Sequence, residues 1–169
     1  AGPEAELAFC GRGELKLPPA YREGERLAMS WDEIRELAAR GHEIGCHTAS
    51  HLRLRESVAG ERLEAEIPRA KGRLEAELGR EAASFAWVGG EADTYSSGAF
   101  AAVKRAGFRY AFTTLSAPLR PDEEPLLIHR TVLDPDLNFE LFKFKVSGFS
   151  DLVHAGTRRE VSSRLGSGG

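Results

Sequence analysis

Cysteine is scarce in this sequence: Cys10 and Cys46 are its only two, too few for a disulfide framework. They could pair, but two small buried residues are the simpler reading. Long apolar runs are missing as well, and no stretch approaches the roughly 20 residues of a transmembrane segment. Neither sign of charge dominates: 23 Lys and Arg stand against 26 Asp and Glu, for a formal net charge of -3. The basic residues are interleaved with Glu throughout, which excludes nucleic acid as the leading partner and gives no general attraction to anionic lipid. No leader peptide is recognisable. The chain opens Ala1-Gly2-Pro3 without an initiator Met and reaches the strand-like Leu7-Ala8-Phe9-Cys10 almost at once. It is expected to be a piece of something longer, so envelope, secreted and cytoplasmic locations all stay open.

What is present is ordinary for a soluble globular protein, with 41% hydrophobic and 29% charged residues. A chain of 169 residues can bury one real core but would crowd a second. The expectation is one domain over residues 1–165, followed by a flexible tail, Gly166-Ser167-Gly168-Gly169, of linker composition. Short apolar runs alternate with amphipathic stretches, the pattern of an α/β protein with a largely parallel sheet. Ser30 followed by Glu33 has capping-box spacing and opens a helix bearing Ile34, Leu37 and Ala38, closed by Gly41. His42–Cys46 reads as a short strand. Leu63, Ile67, Ala70, Leu74 and Leu78 define a longer helix ending at Gly79, with Pro68 predicting a kink or break. Ser84–Val88, Phe108–Thr114 and Leu126–Leu133 read as strands. Between the first two, Ser96 or Ser97 caps a helix carrying Phe100, Val103 and Ala106, stopped by Gly107. Residues 136–146 are rich in Phe and Leu without clean periodicity, and Ser150 onward could form a final helix.

His47 and His51 carry the chemistry. Four residues apart at a strand end and the turn after it, two imidazoles can converge on one ion, and neutral imidazole suits zinc and related divalent metals. On spacing alone, two surface histidines near a helix start are the simpler reading. The surrounding residues separate the two readings. Leu27-Ala28-Met29-Ser30-Trp31-Asp32-Glu33-Ile34 and then Gly41-His42-Glu43-Ile44-Gly45-Cys46-His47-Thr48-Ala49-Ser50-His51 closely resemble the second motif of the NodB-homology polysaccharide deacetylases. The resemblance runs on through Ser84-Phe85-Ala86-Trp87-Val88-Gly89-Gly90 to Ala106-Gly107-Phe108-Arg109-Tyr110-Ala111-Phe112-Thr113-Thr114, about half the chain. It continues more weakly past His129-Arg130 to Gly148-Phe149-Ser150-Asp151-Leu152.

The resemblance implies a distorted, incomplete (β/α) barrel with its site at the C-terminal ends of the strands. Here that barrel would be truncated at its N-terminus. His47 and His51 would match the family's two metal-binding histidines, for a divalent metal, usually zinc. The substrate class implied is an N-acetylated amino-sugar polymer or oligosaccharide, which would lose acetate. The family's first motif, a Thr-Phe-Asp-Asp-Gly stretch supplying a general base and a third ligand, has no counterpart, because no two aspartates are adjacent in this chain. Truncation explains this most simply. A natural pseudo-enzyme is the alternative.

A Trp87-Val88-Gly89-Gly90 turn stands where many relatives have Tyr-Pro-Tyr-Gly-like or Arg-Pro-Pro-Tyr-Gly-like turns. Trp87 is the candidate sugar platform, since an exposed indole face complements a pyranose. Gly89 and Gly90 could bring backbone amides to the substrate, or form a plain turn. Glu91 and Asp93 follow as solvated carboxylates within possible reach. His129, in Leu126-Leu127-Ile128-His129-Arg130, loosely resembles the family's late histidine motif and is the candidate general acid, against a structural strand role. The rival function is a non-catalytic carbohydrate-binding or structural module, with an unrelated metal hydrolase behind it. A barrel without its first strand would expose neighbouring edges, so association through that sheet edge is expected.

Overall fold

The computed structural model describes Arg26, residues 28–133 and residues 136–166. The strand expected at Leu7–Cys10 and residues 167–169 lie outside them. The chain divides into two compact units, residues 1–43 and 44–169.

In the first unit, helix α1 (Trp31–Ala39) starts as its sequence dictates. Ser30 Oγ accepts from the Glu33 amide at 3.3 Å, and the Glu33 carboxylate accepts from the Ser30 amide at 2.7 Å. Arg26 adds an ion pair to the same carboxylate at 2.8 Å. The Arg26 hydrogen bond, followed by those from Ser30, holds the Glu33 carboxyl down at about 2 against an ordinary 4.5. A folded-state pKa below the unfolded one means that this capping contribution is present above the ordinary value and lost as pH falls toward 2. A carbon-detected NMR titration of Glu33 should therefore show its midpoint near 2 and an upward move in Arg26→Ala. A midpoint at the ordinary 4.5 would contradict the cap geometry.

The second unit begins its helices with α2 (Gly60–Glu66) and α3 (Pro68–Leu78). They are the two halves of the long helix read from the sequence, broken where Pro68 lacks the amide to continue it and Ile67 turns to φ -118°, ψ -73°. Leu63, Ile67 and Leu74 of the expected stripe are buried. Gly79 ends α3 in the left-handed region at φ 64°, donating its amide to Glu75 O at 2.8 Å.

Strands β1 (Ser84–Ala86) and β2 (Tyr110–Phe112) pair in parallel, with Phe85 opposite Ala111. Single parallel bridges, Cys46 to Phe85 and Phe112 to Ile128, extend this ladder on either side. Parallel neighbours need a crossover, and α4 (Ser97–Arg105) supplies it between β1 and β2. Ser96 caps α4, its hydroxyl accepting from the Ala99 amide at 3.2 Å. The buried face of α4 is Ala99, Ala102 and Val103. Phe100 and Ala106, expected on that face, are only half-buried.

The strands are shorter than their apolar runs suggested. His42–Cys46 contributes a single bridge at Cys46. Leu126–Leu133 is corrected further: residues Pro125–Leu127 form a 3-10 turn, and only Ile128 reaches the ladder. Pro125 presets the turn and the Glu124 carboxylate accepts from the Leu126 amide at 3.2 Å, a local closure that wins over extension. The ambiguous Phe-rich segment is helix α5 (Phe139–Val146), capped by Asn138, whose carboxamide accepts from the Leu141 amide at 2.9 Å. None of its residues is buried, as the missing periodicity would have it. Helix α6 (Phe149–Gly166) follows and carries Val161 and Leu165 into the core. Among the described residues no helix is long and apolar enough to cross a membrane.

Candidate metal centre

His47 leaves the ladder immediately after Cys46, so β1 is its scaffold. Its Nδ1 lies 2.8 Å from the Ala86 carbonyl and donates to it. That bond fixes the ring and leaves the Nε2 lone pair for another partner, the arrangement seen for metal-binding histidines. The His51 ring stands edge-on to it, with centroids 4.9 Å apart and planes at 70°. Loss of water around the His47 ring, with smaller contributions from the charges of His51 and Arg130, pulls its pKa below the ordinary histidine value against the opposing Ala86 carbonyl. That direction favours the neutral ring, the form that can bind a metal.

The turn between the two histidines is held in an unusual conformation. Thr48 and His51 have φ of +64° and +57°, in the left-handed region that a β-branched residue such as Thr48 rarely adopts. Thr48 Oγ1 accepts from the Leu52 amide at 3.0 Å. Such backbone persists only where the surroundings over-determine it. Glu66, at the end of α2 and 1% exposed, supplies much of that constraint through Ala49 and Ser50. Among the described residues no group of three or more His, Cys, Asp or Glu side chains is arranged to hold a metal. The two imidazoles stand side by side, of a donor type that suits a divalent metal, with no third such side chain grouped with them among the described residues.

His129 is not oriented like the pair. Its Nδ1 lies 2.9 Å from Thr113 Oγ1 and its Nε2 3.3 Å from Glu123 Oε1. Both ring nitrogens are engaged, beside a cavity of about 230 Å³ that Glu123, Arg120 and Ser162 also line. Burial lowers the His129 pKa, with Arg158 adding to the effect and Glu123 opposing it. The next residue, Arg130, is the one whose charge reaches both His47 and Tyr95, while its Nε donates to Thr113 O at 2.9 Å.

Trp87 is corrected outright. Its indole is 0% exposed, packed against Phe85 and Tyr95 at centroid distances of 5.4 and 5.5 Å, with Nε1 donating to Leu126 O at 3.0 Å. A ring buried on both faces offers no platform to a sugar. The Gly89–Gly90 turn packs tightly: Gly89 has φ +89° and its carbonyl accepts from Thr114 Oγ1 at 2.7 Å. The Gly90 amide donates to the Glu91 carboxylate at 3.1 Å, so it is already committed. Glu91 and Asp93 pair with Arg53 and Arg55 at 3.6 and 2.7 Å. The sequence reading missed Arg130, Tyr95 and Glu66. Only Glu66 left a signal there, as an acid adjoining an apolar stripe.

The polysaccharide deacetylase family profile matches residues 20–111. The chain belongs to the polysaccharide deacetylase family. Its fold is similar to a crystal structure from Bacillus anthracis described as a "putative polysaccharide deacetylase", with a TM-score of 0.58 and 22% sequence identity. That likeness covers 70% of this chain and 37% of the other, so the chain spans well under half the length of that relative. A search of curated proteins finds no match.

Proposed function

We propose that this chain contributes the histidine half of a metal-dependent site that removes N-acetyl groups from amino-sugar polymers or oligosaccharides. The observation that carries this reading is the His47–His51 pair, rings 4.9 Å apart at the end of a parallel ladder, with His47 Nδ1 anchored on Ala86. His47 and His51 would hold the divalent ion, zinc being the first candidate for an imidazole pair. When bound, such a metal supplies Lewis acidity toward an acetamide carbonyl and lowers the pKa of a water. The chain's own residues orient the two imidazoles, and burial favours the neutral form of His47. A substrate-facing role for the Gly89 and Gly90 amides draws little support, since the Gly90 amide is held by Glu91 and Thr114 fills the space beside it.

The proposal includes a distorted, incomplete (β/α) barrel spanning residues 1–165, supported by four parallel chain segments meeting side by side and by a family match that crosses residue 43. General-acid chemistry by His129 draws the least support, since both its nitrogens already have partners. The second reading, a non-catalytic carbohydrate-binding module, is favoured by the sequence itself, which holds no adjacent pair of aspartates.

Zinc titration of the chain, followed by the ring resonances of His47 and His51, tests the ligand assignment. Weak binding is expected, because a catalytic zinc usually takes three protein ligands and this pair offers two. It should be lost in His47→Ala and in His51→Ala. Unchanged affinity in both variants would overturn the assignment. Acetate release from a chitin oligosaccharide by this chain should be slight; vigorous release would show that an adjacent pair of aspartates is dispensable.

A further inference from the structure

We infer that Glu66 is a positioning residue for the His47–His51 turn, acting through Ser50. The inference rests on the metal-site reading above and goes beyond it by naming a group that touches neither metal nor substrate.

The argument starts from what the four-residue step between the histidines requires. Two rings on one short turn converge only if the intervening backbone is fixed, and here its two ends sit at positive φ. Nothing intrinsic to Thr48 favours that conformation, so the constraint must come from outside the turn. Beyond the Leu52 amide that Thr48 Oγ1 accepts, much of it comes from one residue. The Glu66 main-chain carbonyl accepts from the Ala49 amide at 3.1 Å. Its carboxylate accepts from the Ser50 amide at 2.9 Å and from Ser50 Oγ at 2.7 Å, one donor on each oxygen. The middle two residues of the turn are thus both tied to the last residue of α2.

The carboxylate is itself held. Arg62, one helical turn earlier, reaches Glu66 at 2.9 Å and Ser50 Oγ at 3.1 Å, so cation, carboxylate and hydroxyl form a closed set. An acid that is 1% exposed costs free energy to bury unless its oxygens are satisfied, and here both are, by partners that also define the turn. A purely structural acid could be satisfied by any donors. These particular donors lie between the two proposed ligands.

The substitution Glu66→Gln keeps the size of the side chain but replaces one accepting oxygen with a donor, so one of Ser50's two donors loses its partner. Residues that orient metal ligands typically cost about 10–100-fold in metal affinity when changed. Glu66→Gln should therefore weaken Zn²⁺ binding by roughly tenfold or more, with the His47 and His51 ring resonances shifting in the metal-free protein. Ser50→Ala should weaken it less, and Ser50→Thr, which keeps the hydroxyl, should restore it. The double variant Glu66→Gln/Ser50→Ala should lose little more than Glu66→Gln alone, because both act through one contact. Amide NMR spectra report whether each variant is folded, and if Glu66→Gln is not, the Ser50 pair decides. Wild-type zinc affinity in folded Glu66→Gln, or equal affinities for Ser50→Ala and Ser50→Thr, would overturn the positioning role while His47→Ala still abolished binding. Zinc binding indifferent to both His47→Ala and His51→Ala would instead remove the metal-site reading, and this role with it.

Discussion

Replacing Trp87 with alanine is expected to destabilise the protein by about 3–5 kcal/mol, the usual range for deleting a fully buried indole. Two terms contribute. The side chain leaves a void between Phe85 and Tyr95, whose rings it touches edge-on and at a tilt. Its lost Nε1–H also leaves the Leu126 carbonyl without the donor now 3.0 Å away. Against a typical net stability of about 5–15 kcal/mol, this is a large fraction. Trp87→Phe separates the terms: it keeps most of the packing and should cost about 1–3 kcal/mol, chiefly from the orphaned carbonyl. Urea denaturation of both variants measures this. If Trp87→Ala kept wild-type stability but lost affinity for a sugar oligomer, the platform role set aside here would return.

The second large effect is expected at Gly90. A β-carbon there would lie 2.6 Å from Thr114 Oγ1, closer than side chains tolerate. That hydroxyl cannot swing away freely, because it donates to the Gly89 carbonyl at 2.7 Å. Gly90→Ala must displace the turn or break that bond, at about 1–3 kcal/mol, the usual cost of overpacking. In a Thr114→Ala background the obstruction is gone, so adding Gly90→Ala should cost much less than it does alone. Simple additivity of the two substitutions, measured by thermal or urea melts, would show that the contact is not the cause.

What was legible in the sequence follows the range over which each signal acts. The punctuation of helices depends on residues a turn apart. The Ser30–Glu33 capping box, the break at Pro68, the stop at Gly79 and the cap at Ser96 all stand where the local chemistry puts them. Strand lengths depend on what lies alongside, which sequence does not reveal, and the runs at Ser84 and Phe108 shrink to three paired residues each. Identity alone also fails to say which way a side chain faces. Trp87 reads as a sugar platform from the sequence, and its place beside Phe85 and Tyr95 makes it a core residue instead.

The same limit explains His129 and Arg130. Neighbours on extended chain point to opposite sides, so register chooses which way each of the two faces. The bridge between Phe112 and Ile128 sets that register, and it turns His129 toward Thr113 and Glu123. Glu66 was visible in principle. It adjoins Ile67 on the buried side of the helix, three residues after Leu63, where a solvent-facing acid would be out of place.

Pro68 looks at first like a blemish in an otherwise regular helix. In an unbroken helix the Glu66 carbonyl would be claimed by the amide of Ala70. Interrupting the spiral there releases that oxygen sideways, and Ala49 takes it. The break at Ile67 that Pro68 brings, rather than the ring's own missing hydrogen, which the Glu64 carbonyl would have taken, thus leaves a spare acceptor at the base of the histidine turn, and healing the helix would set two amides competing for it.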